Sequence, residues 1–214
     1  MTEQFKTNTD ENYFLKAEGL TVHFPAASDA LGRPTSWIHA ADDVSFAVPK
    51  GKTLGVVGES GCGKSTVGKM LLDIYRPTGG KIFYEGKDIT ALSPKERRPY
   101  VKKMQLVWQD PYSSLDPRLR AGDIIAEPID NFRLAANRAE RAEKVERLMQ
   151  MCGLYPEMAT HYPHQFSGGQ RQRICIARAL ATDPEFVVCD EAVSALDVSI
   201  QAQIINLLKD LQDE

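Results

Sequence analysis

The sequence predicts an α/β fold, in which helices cover a parallel sheet, and two apolar runs carry this prediction. The runs Thr53–Val57 and Phe186–Cys189 are short and are followed by Gly or by acidic residues, which is typical of buried parallel strands. An amphipathic helix follows each run, with its apolar face at Val67, Met70, Leu71 and Ile74 in the first case and at Ile200, Ile204, Leu207, Leu208 and Leu211 in the second. Strand and helix therefore alternate, as a parallel sheet requires.

Antiparallel strands are expected before and after the first of these strand–helix pairs. Residues 1–12 are polar and predict a flexible tail, and Tyr13–Phe24 predicts a strand or an edge hairpin. Pro25–Trp37 is rich in Pro, Ala, Ser and Gly and predicts a surface loop, after which alternating apolar residues from Val44 to Val48 predict another strand. A hairpin is expected within Lys81–Ile89, around its Glu-Gly pair.

The middle of the chain, from Pro111 to Pro163, is dominated by helical patterns. One predicted helix ends at Gly153 and has its apolar face at Ala142, Val145, Leu148, Met149 and Cys152. We interpret this stretch as a helical insertion into an α/β core that resumes with a helix over Gln170–Ala181. The expected division is a tail (residues 1–12), a core with its β subdomain (13–109), a helical subdomain (110–169) and the continued core (170–214).

The composition excludes several classes of protein. The 214 residues suffice for one sizeable domain, and the net charge of −3 does not indicate a broad nucleic-acid surface. No stretch is apolar enough to span a membrane, and the polar N-terminus is not a secretory signal. The four cysteines have no paired spacing, which indicates reduced thiols in a cytoplasmic protein rather than disulfides or a zinc site.

The segment "GESGCGKST", from Gly58 to Thr66, lies between the first predicted strand and its helix. Gly58, Gly63, Lys64 and Ser65 match the phosphate-loop pattern G-x-x-x-x-G-K-[ST] at every fixed position. We expect Lys64 to reach the β- and γ-phosphates of a nucleoside triphosphate and Ser65 to bind Mg²⁺. Backbone N–H groups would hold the phosphates along the rest of the loop, which is made of Glu59, Ser60, Gly61, Cys62 and Thr66.

Two carboxylates, Asp190 and Glu191, follow the second predicted strand directly. Side chains at the carboxyl end of a parallel strand face the ligand crevice of an α/β fold. Asp190 is therefore placed to hold Mg²⁺, and Glu191 to act as the general base that takes a proton from the attacking water. The alternative is a solvated strand end, which would be the better interpretation if no phosphate loop preceded it.

A second glycine-containing loop, "FSGGQ" from Phe166 to Gln170, resembles the signature loop of ATP-binding cassette (ABC) ATPases, with Phe where Leu is commoner. The family's other motifs occur in its order: the phosphate loop, Gln109 in "VWQDP" as the Q-loop, Asp190–Glu191 as the end of Walker B, and Ser194–Asp197 as the D-loop. The resemblance runs from Leu15 onward. It implies a P-loop NTPase with a RecA-like parallel sheet, an N-terminal antiparallel β subdomain and a helical insertion.

In that family two cassettes pack head to tail, so the resemblance implies a role for the second loop. Ser167 and the backbone N–H groups of Gly168 and Gly169, with the helix beginning near Gln170, would contact the γ-phosphate of ATP held by the partner cassette. Binding of ATP would join the dimer and hydrolysis would release it. Gln109 would join Ser65 and Asp190 around Mg²⁺. The arginines that follow are expected to form a solvated, salt-bridged face: Arg171, Arg173 and Arg178.

An aromatic residue before the phosphate loop stacks on adenine in this family. Phe24 matches best by position and Trp37 is the alternative, although packing would also explain either residue.

Several segments look like one subfamily, the ATP-binding subunits of oligopeptide and dipeptide importers. These are Trp108–Ile129, Tyr162–Ile174 and Asp197–Leu208, with Ala192 and Gln165 departing from the usual Pro and Glu. The resemblance implies a peripheral protein on the cytoplasmic face of the inner membrane, with permease subunits docked on residues 110–165 and, indirectly, a substrate-binding protein. Nickel or another small peptide-like ligand is an alternative cargo.

Two rival functions differ in class. One is a soluble ABC ATPase of DNA repair or translation, which the single cassette and mild acidity disfavour; the other is a non-hydrolysing partner cassette, which the intact motifs disfavour. The family also has a switch histidine after the last helix. The four histidines here, His23, His39, His161 and His164, all precede Walker B. We therefore expect a truncated cassette that binds ATP and hydrolyses it weakly.

Overall fold

The computed structural model describes residues 13–28, 34–194 and 196–213. The chain divides into two compact units, one up to Arg97 and one from Arg98 onward, and each is described by itself. The predicted tail, residues 1–12, lies outside the described residues, as do Ala195 of the D-loop and residues 29–33. The four-part division expected from the sequence stays a prediction.

The first unit contains a four-stranded antiparallel sheet in the order β2-β1-β3-β4. Its strands are β1 (Tyr13–Ser28), β2 (Pro34–Pro49), β3 (Gly79–Tyr84) and β4 (Lys87–Asp88). The buried residues of the central strand β1 include Leu15, Ala17, Leu20 and Val22. The antiparallel β subdomain and the hairpin at Glu85–Gly86 are therefore confirmed.

The predicted surface loop over Pro25–Trp37 is partly wrong, because the β1–β2 ladder continues into it. Pro25 pairs with Trp37 and Ser28 pairs with Pro34. Main-chain pairing needs no apolar pattern, so exposed residues can extend a hairpin. Proline is tolerated here because the pairing of β1 with β3 ends at Thr21, so beyond it this side of β1 has no strand partner among the described residues.

The predicted buried strand Thr53–Val57 is wrong in this structure. It belongs to neither sheet of the described residues, and Val57 is 93% exposed. A buried parallel strand needs parallel neighbours, and the sheet of the first unit is entirely antiparallel. The helix that follows, α1 (Lys64–Leu71), buries Val67, Met70 and Leu71 as predicted. Ile74 lies beyond its end and is 44% exposed, because the chain turns at Asp73 with φ of 60°.

The second unit consists of one parallel strand pair and a set of helices. Its elements are β5 (Met104–Val107), α3 (Pro111–Ser114), α4 (Ala121–Asn131), α5 (Arg138–Met151), two 3₁₀ turns (Pro156–Thr160 and Pro163–Gln165), α6 (Gly168–Leu180), β6 (Phe186–Cys189) and α7 (Val198–Asp213). A further helix, α2 (Pro94–Lys103), crosses the point at which the units divide. None of the described helices combines the length and apolarity needed to span a membrane.

The core of the second unit lies between α4, α5 and α6. The fully buried side chains at its centre are Ile124, Ile125, Ile129, Met149, Ile174 and Ile176. The predicted face of α5 is confirmed except at Ala142, which is exposed one turn before the buried Val145. Ile204 of α7 is fully buried, and the other predicted residues of its apolar face pack against the same core.

Candidate functional site

The phosphate loop of the first unit ends at Gly63, immediately before α1. Gly63 has a φ of 96°, a conformation that side chains rarely allow. A Cβ atom on Gly63 would lie 2.2 Å from the carbonyl oxygen of Ala40, and one on Gly58 would lie 2.7 Å from Sγ of Cys62. Gly63 is therefore required sterically, because the backbone of Ala40 already occupies the space a Cβ would fill, whereas the Cys62 thiol beside Gly58 can rotate away.

Lys64 folds back over this loop. Its Nζ donates to the carbonyl oxygens of Gly58 and Glu59, at 2.9 and 2.8 Å. Among the described residues no side chain caps the N-terminus of α1. The positive end of the helix dipole and the Lys64 ammonium therefore both lie at this loop. Glu59, Ser60, Gly61 and Cys62 are exposed, whereas Ser65 and Thr66 are half-buried in the first turn of α1. These residues fit a polyphosphate, because the exposed loop offers backbone N–H groups and the Lys64 ammonium.

In the second unit, Gln109 and the Asp190–Glu191 pair follow two neighbouring parallel strands. β5 and β6 pair from Met104 with Phe186 to Val107 with Cys189, and the ladder continues with Asp190 N–H donating to the Val107 carbonyl at 3.0 Å. Nε2 of Gln109 donates to Oε2 of Glu191 at 2.6 Å. The carboxyl ends of β5 and β6 thus place the Gln109 amide beside the Asp190–Glu191 pair, although many residues separate Gln109 from this pair in the chain.

Glu191 is held in an unusual backbone conformation. Its φ is 45°, in the left-handed region that non-glycine residues seldom occupy, and such strain clusters at functional sites. The backbone N–H and the hydroxyl of Ser194 both donate to the Glu191 carbonyl, each at 3.0 Å. Ser194 was placed in the D-loop from the sequence, but its role in fixing Glu191 was not predicted; the spacing of three residues was the available signal. Carboxylate and amide oxygens are the ligands Mg²⁺ prefers, so this donor set fits the ion.

The signature loop forms the N-terminus of α6. The Ser167 hydroxyl accepts from the Gln170 N–H at 3.3 Å, and the Gln170 side-chain oxygen accepts from the Ser167 N–H at 2.9 Å. This reciprocal capping box fixes the loop. A Cβ on Gly169 would lie 2.6 Å from Cγ2 of Ile200, so α7 packs directly on the loop. The N-terminus of α6 therefore presents a fixed set of donors.

The predicted solvated, salt-bridged face of arginines on α6 is wrong. Arg171 donates to the carbonyl of Pro163, Arg173 to that of Cys152 and Arg178 to that of Ser114, at 2.7, 2.7 and 2.8 Å. All three are half-buried. Their guanidinium groups satisfy backbone carbonyls at the ends of neighbouring elements, a tertiary role that local sequence does not indicate. Arg171 also lies 4.1 Å from the centre of the Tyr112 ring, a contact that the sequence did not predict.

The two candidates for stacking on adenine lie on the β1–β2 hairpin of the first unit. Phe24 is half-buried and packs edge-to-face on Tyr75, with ring centroids 5.0 Å apart. Trp37 is 52% exposed. The phosphate loop belongs to the first unit, whereas Gln109, the acidic pair and the signature loop belong to the second.

Residues 41–194 match the sequence pattern described as ABC transporter. The oligopeptide transport ATP-binding protein AppF of Bacillus subtilis is 49% identical over 209 residues, which cover 97% of this chain and 63% of that protein. The dipeptide transport ATP-binding protein DppF of Haemophilus influenzae is 49% identical over 215 residues, which cover 100% of this chain and 64% of that protein.

A solved structure is similar over most of the fold. It is the dimeric, post-hydrolysis state of an ATP-binding cassette bound to ADP and Pi, with a TM-score of 0.80 and 30% identity, covering 92% of this chain and 82% of that chain. The chain spans less than two thirds of the length of the two curated relatives. Because the family pattern covers most of the chain and the relatives are about half identical to it, the chain belongs to the ABC transporter family.

Proposed function

We propose that this chain is the nucleotide-binding part of an ATPase subunit that powers import of peptides across a membrane. The hydrogen bond from Gln109 to Glu191 carries the proposal, because it joins the Q-loop to the predicted general base. A carboxylate with a fixed amide donor, at the carboxyl end of a parallel strand pair, suits proton abstraction from water. The identity to transport ATP-binding proteins supports the same function.

The proposed mechanism divides the work between the residues of this chain. Lys64, which lies over the phosphate loop, and the loop N–H groups would bind the phosphates, and Ser65, Gln109 and Asp190 would hold Mg²⁺ through oxygen atoms. Bound Mg²⁺ would neutralise charge on the β- and γ-phosphates. Glu191 would accept the proton of the water that attacks the γ-phosphorus, while the bond from that phosphorus to the β–γ bridging oxygen breaks and ADP leaves with the electron pair. Gln109 keeps the carboxylate oriented, since it donates to Oε2.

The signature loop would complete the site of a second cassette. Ser167 accepts its capping bond, so its hydroxyl hydrogen can still be donated to a phosphate oxygen. The N–H groups of Gly168 and Gly169 open the same helix, where anions bind favourably. The dimeric state of the similar cassette supports this arrangement. Phe24 remains the proposed adenine-stacking residue, with Trp37 as the alternative.

The names of the relatives, which are transport proteins for oligopeptides and dipeptides, support the proposed cargo. We propose that permease subunits dock on residues 110–165 and that a substrate-binding protein delivers the peptide, with the chain on the cytoplasmic face of the membrane. Nickel or another small ligand remains the alternative cargo. A soluble ABC ATPase of DNA repair or translation is less well supported, because both relatives carry transport names.

Uptake of labelled dipeptides and oligopeptides tests the proposal. The full subunit would be reconstituted into vesicles with its permease subunits and ATP on the cassette side. We expect uptake with the native subunit and none with Glu191→Gln. The proposal is wrong if ATP hydrolysis responds to nucleic acid instead, or if the native vesicles hydrolyse ATP and transport nickel but no peptide.

A further inference from the structure

Two histidines and an aspartate meet on the β1–β2 hairpin of the first unit. His23 of β1 is the register partner of His39 of β2, and their ring centroids lie 3.9 Å apart. Asp42 follows three residues after His39, at a point where irregular pairing turns its carboxylate towards both rings. The cluster lies outside every motif assigned above.

The distances within this His–His–Asp cluster are slightly longer than those between the ligands of one metal ion. His23 Nε2 lies 3.8 Å from one carboxylate oxygen of Asp42, and His39 Nδ1 lies 3.6 Å from the other. One ligand atom from each residue lies within 4.8 Å of the others. Ligands bound tetrahedrally to Zn²⁺ at 2.0–2.1 Å stand about 3.3–3.4 Å apart, so small side-chain movements would close the site.

A second observation is independent of this spacing. His23 Nε2 is buried from solvent and makes no hydrogen bond to any described residue. The gap of 3.8 Å to Asp42 is too long for a hydrogen bond. A buried ring nitrogen without a partner is unfavourable, and a metal ion bound between the three side chains would satisfy it.

We propose that His23, His39 and Asp42 bind one divalent transition-metal ion of the Zn²⁺ class, with water completing the coordination. Two imidazole nitrogens and one carboxylate suit such an ion, whereas Mg²⁺ and Ca²⁺ prefer oxygen ligands only. His39 and Asp42 are 58% and 65% exposed, so they can adjust to the ion and solvent can reach it. None of these three residues is among those that we assign to the Mg²⁺ of bound ATP.

The position of the cluster links it to the phosphate loop. Ala40, between His39 and Asp42, has the carbonyl oxygen against which Gly63 is packed. Phe24 is the neighbour of His23 in β1. An ion would therefore fix the segment of β2 that supports the loop. Binding must be measured without nucleotide, because ATP itself binds Zn²⁺.

Titration of the whole chain with Co²⁺ and Zn²⁺ tests the proposal. We expect one tightly bound ion per chain, a visible Co²⁺ spectrum of tetrahedral type and no thiolate charge-transfer band, which excludes Cys62 as a ligand. His39→Gln and Asp42→Asn should each weaken Zn²⁺ binding by at least about tenfold. The matched controls are His161→Gln, an exposed histidine of the second unit, and Cys62→Ser.

Thermal unfolding gives a readout that does not depend on spectra. Zn²⁺ should raise the midpoint temperature of unfolding of the native chain and of both controls, because it binds the folded state. It should raise the midpoint temperatures of His39→Gln and Asp42→Asn clearly less. The two variants alter exposed side chains, so we expect them to fold. Absence of stoichiometric binding by the native chain would overturn the proposal and leave the cluster an ion pair. Binding that both variants retain would overturn it equally.

Discussion

Gln109 and Glu191 are joined by a 2.6 Å hydrogen bond between side chains that stand 82 residues apart in the chain. The pairing of β5 with β6 produces this contact, because each residue follows the carboxyl end of its strand. The amide donates and the carboxylate accepts, so Glu191 is oriented before any substrate arrives. The strained backbone of Glu191, fixed by Ser194, adds to this preorganisation.

Lys64→Ala should weaken ATP binding. Lys64 is the cation folded over the phosphate loop, and a charge-assisted contact is worth about 1.5–3 kcal/mol, or roughly tenfold to a hundredfold in affinity. Fluorescence titration with a labelled ATP analogue measures the effect. Lys52→Ala, which removes an exposed lysine just before the loop, is the control and should bind normally. Equal affinities for all three chains would exclude Lys64 from phosphate binding.

ATP should protect Cys62 from alkylation. Cys62 is an exposed thiol inside the phosphate loop, whereas Cys152 and Cys175 are buried. Burial raises the pKa of Cys152 to about 12, and because only the thiolate reacts, Cys152 should stay unmodified in the folded chain. Cys189→Ser removes the other exposed thiol of the described residues.

Mass spectrometry of this variant, with and without ATP, reports the labelled site. Labelling of Cys62 at the same rate in both samples would contradict the assignment of the loop. The double variant with Lys64→Ala is the control, since it should lose the protection.

Ser167→Arg should abolish ATP hydrolysis and leave ATP binding by a single chain intact. An arginine at the N-terminus of α6 adds bulk and positive charge where the partner's phosphate would enter. Ser167→Asp keeps a capping side chain and serves as a probe of charge alone. Mixed dimers of Ser167→Arg with Lys64→Ala separate the two sites, because one composite site then carries both changes. If the mixture behaves like either parent dimer, the composite-site proposal is wrong.

Local signals predicted the parts of the site that depend on short spacing. The glycines and Lys64 of the phosphate loop were predicted directly, because the loop forms its hydrogen bonds within a few residues. The Ser167-x-x-Gln170 capping box was not predicted, although its spacing of three residues was an available signal. The family resemblance supplied the pairing of Gln109 with the acidic residues. The sequence predicted a strand at Thr53–Val57 that is absent from both sheets of the described residues. Parallel pairing depends on distant neighbours, which local composition does not reveal.

Tertiary contacts account for the other differences. Arg173 donates to the carbonyl of Cys152, 21 residues away, so its environment cannot be inferred from helical periodicity. The His–His–Asp cluster depends on the register of a bulged hairpin, which sequence alone leaves open. Its two histidines were named in the sequence analysis only because they precede Walker B and so do not match the switch histidine, and Asp42 was not singled out.

The rate of ATP hydrolysis by Glu191→Gln in the full-length subunit, measured beside its ATP affinity, tests the central claim most directly. The glutamine keeps the shape and can still accept from Gln109, but it cannot take the proton of water. We predict normal binding, an accumulating ATP-bound dimer and a hydrolysis rate lower by about 10²–10⁴-fold, with native turnover in the exposed control Glu157→Gln. Turnover within a few-fold of the native rate in Glu191→Gln would show that another group is the base.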